Sequence, residues 1–179
     1  HDGVINKYDI VYLGNSQPLV TGGGGVTVKY KQVTLSAFFH GRFGQSIVNM
    51  ARMNNESMYG SSNQSKAVLR RWKNEGDNTD IPRALYNEGR NYLGSDRFVE
   101  KASFVRLKSM TLSYGFPRKI CNRFNVNSLS VFVTGYDLFT WTNYTGQDPE
   151  VSTNSSNLAI DTATTPVAKR FSFGLNRSF

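Results

Sequence analysis

The stretch GVTVKYKQVTLSAFFHGRFG imposes a period of two on the chain, and this limits what it can fold into. Val26, Val28 and Tyr30 alternate with Thr27, Lys29 and Lys31. After a short break, Val33, Leu35, Ala37, Phe39, Gly41 and Phe43 alternate with Thr34, Ser36, Phe38, His40 and Arg42. Successive side chains of a strand point to opposite faces. The pattern therefore predicts two tightly joined antiparallel strands with one oily and one polar face. His40 and Arg42 in mid-strand need water beside them, which a lumen or an ordinary exposed surface supplies. The closing VAKRFSFGLNRSF repeats the period. Val167, Phe171, Phe173, Leu175 and Phe179 fall on one side, interrupted by Lys169 and Arg177; Ala168, Arg170, Ser172, Gly174, Asn176 and Ser178 fall on the other. Such a strand suits a soluble sandwich, and equally a barrel wall between lipid and a wet lumen.

Two further runs read as strands. FVEKASFVRLKSMTLSYGFP predicts one long strand, with Met110, Leu112, Tyr114 and Phe116 opposite Ser109, Thr111, Ser113 and Gly115. Its apolar phase breaks before residue 108, which points to a bulge or to a part standing above a membrane, and Pro117 ends it. LSVFVTGYDLFTW is the other, with Leu129, Val131 and Val133 in phase. Between the strands, SIVNMARMNNESMY and SKAVLRRWKNE have helix-compatible spacing, while GDNTDIPRALYNEGRNYLGSD and NYTGQDPEVSTNSSNLAIDTATTP read as loops. Loops of such length are usually functional. The connections run tight, very long, moderate, long. Alternate connections share an end, so the turn near Lys31, the connection 117–128 and Phe179 are expected together, opposite the two long loops. Outer-membrane barrels segregate short turns from long loops in this way, and the rule puts Phe179 at the periplasmic end.

Composition excludes several classes. No run approaches the ~18 apolar residues of a membrane helix, and a barrel needs none. The formal charge of +8 is scattered, its densest cluster being Arg70 to Lys73, so nucleic acid is not an expected partner. A single cysteine, Cys121, rules out an intrachain disulfide. The only histidines, His1 and His40, are far apart, so a His-rich metal site is not expected. A Ser-His-Asp triad would have to use one of them; no enzyme activity and no cofactor is expected. Gly22 to Gly25 lack the Lys-Ser/Thr of a phosphate loop and read as a flexible loop entering a strand. The Asn-x-Ser/Thr matches at Asn55, Asn63, Asn143, Asn154 and Asn176 are what an Asn- and Ser-rich chain gives by chance. The chain opens on His1 with no signal peptide, as expected of a processed protein or a piece of a longer one.

Four stretches, in order, are similar to SusC/RagA-type TonB-dependent outer-membrane transporters: GGGGVTVKYKQVTLSAFFHGRFGQSIVN, ASFVRLKSMTLSYGFP, LSVFVTGYDLFTWTNYTGQDPEV and RFSFGLNRSF. YDIVYLGNSQPLVTGG fits as the segment before the first hairpin. One word departs from the pattern: Tyr136-Asp137 stands where Gln-Asn is usual. The resemblance implies an all-β fold, residues 1–179 being the antiparallel C-terminal strands of a large transmembrane β-barrel with two long loops. Five strands cannot close a barrel of about 22, so the plug and most of the wall lie outside this stretch. It implies outer-membrane, TonB-dependent import of glycan fragments or peptides. A SusD-like surface lipoprotein would cap the pore, and TonB would act through the N-terminal part. A soluble β-rich binding or adhesion module is the alternative.

Residue by residue, the expectations are these. Val26, Val28, Tyr30, Val33, Leu35, Ala37, Phe39 and Phe43 face lipid; Thr27, Lys29, Ser36, His40 and Arg42 face the lumen. Asp148 and Glu150 of GQDPEV are loop ligand candidates for a cation or sugar, against a polar turn shaped by Pro149. Trp141 and Tyr144, at a strand end, suit an interfacial aromatic girdle, against sugar stacking. Phe179 is an assembly signal read by the insertion machinery, because the closing strand has an unpaired edge until the barrel closes.

Overall fold

The computed structural model describes residues 7–87, 95–153 and 158–179. In chain order the elements are β1 (Val20–Tyr30), β2 (Val33–Phe43), β3 (Ser46–Asn49), α1 (Met50–Asn55), β4 (Val99–Lys101), β5 (Phe104–Gly115), α2 (Arg118–Arg123), β6 (Ser128–Thr142), β7 (Ile160–Asp161) and β8 (Arg170–Ser178), with short 3-10 turns at Lys7–Asp9, Lys66–Arg70 and Asp96–Phe98. They form two compact units, one of residues 18–44, 103–143 and 165–179, the other of 1–17, 45–102 and 144–164. His1 and Asn154 lie outside the described residues.

The first unit is a five-stranded sheet in the order β1-β2-β5-β6-β8, every pair antiparallel. It is a meander, as the loop parity requires. Val33 pairs Tyr114, Tyr114 pairs Val131 and Val131 pairs Leu175, so the turn at Lys31, the connection through α2 and the chain end share one side. Lys31 turns the hairpin with φ 52°, in the left-handed region that reverses a chain in two residues.

Cross-strand partners share a face, so the registers sort every side chain. Val26, Val28 and Tyr30 line up with Ala37, Leu35 and Val33; these with Met110, Leu112 and Tyr114; and on through Val131 and Val133 to Leu175 and Phe173. This apolar face is uncovered, with Tyr30 68%, Leu175 61% and Phe173 79% exposed. The opposite face carries Thr, Ser, His, Arg and Lys. The expected bulge is present: the β2–β5 register shifts between Phe38 and Phe39, and the β5–β6 register between Leu107 and Ser109, with Lys108 extra on β5.

Two expectations are corrected. Gly22–Gly25 are not a loop; they lie inside β1, opposite Gly41, His40, Phe39 and Phe38. The reason is on β2. Phe38 stands on the polar face, and its ring approaches so closely that a side chain atom at Gly23 would meet it at 3.0 Å and one at Gly25 at 3.4 Å. Gly23 and Gly25 leave room for the ring, while Gly22 and Gly24 face open space. Likewise, the run 98–116 is not one strand. Val99–Lys101 pair with β3 in the second unit, and β5 begins at Phe104.

The second unit is built from what read as loops. β3 lies between β4, antiparallel, and β7, parallel. Ile47, Ala102, Tyr144 and Ala159 form its core with Val151 against them; Met58, Val68 and Ile81 form a second cluster. The helical spacings are realised only in part. α1 is six residues long, and SKAVLRRWKNE yields only the 3-10 turn Lys66–Arg70. Asn49 caps α1, its Oδ1 accepting from the Arg52 N–H at 2.9 Å, and Ser65 caps the 3-10 turn through Ala67 N–H. Gly60 to Asn63 separate the two, a run that favours turns over continued helix.

Candidate functional site

The polar face of the sheet is ordered in rows. Thr27, Ser36, Thr111, Thr134 and Ser172 are successive cross-strand partners, so one row of hydroxyls crosses all five strands. Thr27 Oγ1 and Ser36 Oγ lie 3.0 Å apart, and the Thr111 and Thr134 hydroxyls 2.9 Å apart. Hydroxyls both donate and accept, so such a row remains able to bond water or a ligand. Toward Phe43 and Phe104 the face turns basic and aromatic. His40 pairs Arg106, Arg42 pairs Phe104, and Tyr136 pairs Arg170. The buried Arg106 donates through Nε to Thr140 Oγ1 at 2.9 Å, with its guanidinium 5.4 Å from the Phe104 ring. The His40 ring is 6.0 Å from that of Phe104. Lys29 is exposed near the tight turn. Lys29, His40 and Arg42 thus all stand on the face opposite Leu35 and Phe39.

At the bulge, Asp137 adopts φ 53°, a conformation that a short polar side chain tolerates better than most. Its carboxylate is almost buried and lies 3.3 Å from Lys108 Nζ and 4.0 Å from Arg170 Nη2. Two bulged strands thus exchange charge where their ladders break.

In the second unit the organising group is Glu100. Its carboxylate accepts from Thr145 N–H at 3.0 Å, from the Thr145 hydroxyl at 2.8 Å, from Arg52 Nη1 at 3.1 Å and from Asn49 Nδ2 at 3.2 Å. Burial alone would raise the pKa of Glu100. The hydrogen bonds from Thr145, Arg52 and Asn49 outweigh it and hold the carboxyl below its usual value. Arg52 also bonds Glu56 Oε1 at 3.1 Å, one helical turn on. Its partners Glu100 and Glu56 raise its pKa against the opposing effect of burial. Arg97 lies 3.6 Å from Glu56 and stacks on Phe98; burial, with Arg52 nearby, lowers its pKa despite Glu56. A cavity of about 560 Å³ opens beside these groups, lined by Asn55, Ser65, Arg70, Gln147 and Asp161 among others. Residues 45–102 and 144–164 are joined a second time by Gln45, whose Nε2 donates to Ala102 O and Pro149 O.

The other expected residues separate. In GQDPEV, the Glu150 N–H bonds Asp148 Oδ1 at 2.9 Å and Pro149 is buried, which is the geometry of a polar turn. Trp141 is exposed on the apolar face, its ring centroid 6.2 Å from Phe139 and 6.4 Å from Phe39. Tyr144 does not accompany it. It is buried in the loop core, its hydroxyl donating to Asp161 Oδ2 at 2.7 Å. Burial, with Asp161 beside it, pushes its phenol pKa far up. Phe179 is exposed, with the Arg177 guanidinium 3.9 Å from its ring centroid. The Glu100 network was not anticipated; only the Arg52–Glu56 spacing signalled it.

No family model matches the chain. The chain is 28% identical over 99% of its length to TonB-dependent receptor P3 of Formosa agariphila and 29% identical over 99% to TonB-dependent receptor P26 of the same organism. It spans 18% and 19% of these relatives, under a fifth of their length. Among solved structures, a chain of the RagAB peptide transporter superposes with a TM-score of 0.79, and one of the RagAB peptide importer in the open-open state with 0.75. Each is 26% identical, covering 92% of this chain and 17% of the other. In sequence along nearly its whole length the chain is similar to TonB-dependent receptors, and its mostly antiparallel sheet matches the β-rich fold of part of a chain of the RagAB peptide transporter.

Proposed function

We propose that this chain is the C-terminal wall segment of an outer-membrane transporter that imports glycan fragments or peptides with energy from TonB. The observation that carries the reading is the two-faced sheet: one face apolar and uncovered on every strand, the other hydroxylic and charged. A contiguous apolar surface of this extent marks an interaction surface, and lipid is the partner that matches an uncovered apolar face shared by all five strands. Lys29, His40 and Arg42 then line the lumen, Trp141 and Phe139 sit in an interfacial girdle, and the long connections lie on the cell surface. There a SusD-like lipoprotein covers the pore, and TonB reaches a plug elsewhere in the protein. Phe179 ends the periplasmic side as the assembly signal. The relatives being named receptors and importers supports transport rather than catalysis.

The test is fractionation of the full-length protein. It should enter the outer-membrane fraction, require detergent for extraction, and migrate faster unheated than heated in electrophoresis. Uptake should stop when TonB is absent. A monodisperse protein obtained without detergent would instead establish the soluble binding module.

A further inference from the structure

The end of the sheet at the tight turn carries a charge of one sign. Lys31 in the turn, Arg118, Lys119 and Arg123 in α2, and Arg177 on β8 all lie beyond the row Val33, Tyr114, Val131 and Leu175. All five are exposed. The first unit contains a single Asp or Glu, Asp137. It lies toward the other end of β6, roughly 20 Å along the strand from Val131, and is engaged by Lys108 at 3.3 Å and Arg170 at 4.0 Å. Apolar groups accompany the five cations. Ile120 and Phe124, one helical turn apart, are both exposed, while Cys121 and Val126 are buried and anchor the connection between them. Arg177 pairs Leu129 and so stands on the apolar face, where it interrupts the row of Phe171, Phe173 and Leu175 only at its end. Its guanidinium lies over the exposed Phe179 ring, and Lys31 Nζ lies 5.3 Å from the centroid of the exposed Tyr30 ring.

We infer that this end of the sheet docks on the headgroups of anionic lipids, with its cations on their phosphates and with Ile120 and Phe124 in the headgroup layer. The inference rests on the reading of the apolar face as a surface that meets lipid. Guanidinium groups match phosphate geometry through paired N–H donors. A cluster of about four to eight cations beside a membrane-embedded segment recognises anionic lipid, and aromatic rings belong at the same depth. Arg177 decides between lipid and a dissolved anion. Its stem continues an apolar face, and its head stands where that face ends, as a long cationic side chain does when it reaches from hydrocarbon to headgroup. Exposed Ile120 and Phe124 between Arg118, Lys119 and Arg123 repeat the pairing of apolar and basic groups that seats a short segment on a membrane surface.

The experiment reconstitutes the purified full-length protein into phosphatidylcholine vesicles carrying a trace of spin-labelled phosphatidylglycerol or spin-labelled phosphatidylcholine, and compares the immobilised fraction of the two labels. Phosphatidylglycerol should be preferred roughly fivefold at low salt. The preference should fall severalfold in about 0.5 M sodium chloride, which screens exposed charges. It should approach unity in the Arg118→Gln, Lys119→Gln, Arg123→Gln, Arg177→Gln variant and stay at the parent value in Lys73→Gln, which removes a cation of the second unit. If the fourfold variant does not fold, Arg177→Gln alone and the salt titration of the unmodified protein carry the test. Equal immobilisation of both labels by the parent overturns the inference, as does a preference that survives substitution and salt, or one that Lys73→Gln lowers as much. Sodium phosphate that abolishes the preference where sodium chloride of the same ionic strength does not would assign the cations to free phosphate and overturn it too. A protein that inserts into the vesicles and shows no preference loses only this inference. One that does not insert loses the lipid reading of the apolar face itself.

Discussion

Phe132 stands directly opposite Gly174 across the β6–β8 ladder, and its ring fills the space that any side chain at 174 would need. Phe38 also stands opposite a glycine, Gly25 across β1–β2, but at ordinary contact distance, 3.4 Å from where a side chain there would begin. Both rings sit on the polar face. Each covers the backbone of a residue with no side chain of its own. Gly174→Ala should force the Phe132 ring aside and cost about 1–3 kcal/mol. Adding Phe132→Ala should cost less than the two changes made separately. Urea titration of the folded full-length barrel measures both, and strict additivity would show that the ring and the glycine act independently.

Glu100 should make the loop unit acid-sensitive. Its folded pKa lies below the ordinary glutamate value. Its contribution to stability is therefore complete above that ordinary value and is lost as pH falls through the lowered one. Glu100→Gln should remove the contribution at neutral pH, costing about 1–3 kcal/mol locally, and flatten the acid dependence. Hydrogen exchange of residues 45–53 and 144–150 across the acid range reads this directly. Unchanged protection in the variant would mean that the loops are held by their apolar cores alone.

Tyr144 and Trp141, three residues apart, should answer to different solvents. Tyr144→Phe leaves the packing intact but takes the donor from Asp161, costing about 1–2 kcal/mol in the loop unit. Because the folded phenol pKa is raised, Tyr144 contributes fully below the ordinary tyrosine value, and the contribution declines only as pH rises beyond it. Trp141→Ala should leave loop protection unchanged and shift the response of the barrel to lipid or detergent. Ultraviolet titration of Tyr144→Phe against the parent should show one tyrosine missing from the group that resists ionisation.

Removing Phe179 should lower the amount of folded barrel in the outer membrane while uptake per folded barrel stays near the parent level. Phe179→Tyr, which keeps the ring, should restore assembly. Normal assembly with lost uptake would place the residue in transport instead.

The sheet was legible because strands with one apolar and one polar face must alternate, and the alternation survives in sequence even where a bulge shifts it by one, as at Lys108. The parity of the connections was legible for the same reason. Gly22–Gly25 were misread because glycine has no preference for strands on its own. What makes them a strand is their pairing with β2, a strand further along the chain. Tyr144 looked like a girdle residue because it follows β6 by two positions. Its fate depends on Asp161, seventeen residues further on, which no local pattern reveals. The Glu100 network joins residues 49, 52, 100 and 145, and of its contacts only the helical Arg52–Glu56 pair has a spacing that sequence alone can signal.

The parallel pairing of Val48 with Ile160 has a kinetic consequence. More than a hundred residues separate these partners, including all of β5 and β6. Closing so large a loop is entropically slow compared with zipping adjacent strands. The meander can grow one hairpin at a time, but the small sheet must wait until Ile160 has been delivered. During that interval Ile47 and Ala102 are without Tyr144 and Ala159, the residues that complete their core. Ordering of the first long connection is thus tied to the arrival of residues beyond β6, and an apolar surface at Ile47 and Ala102 is the expected site of chaperone contact before then.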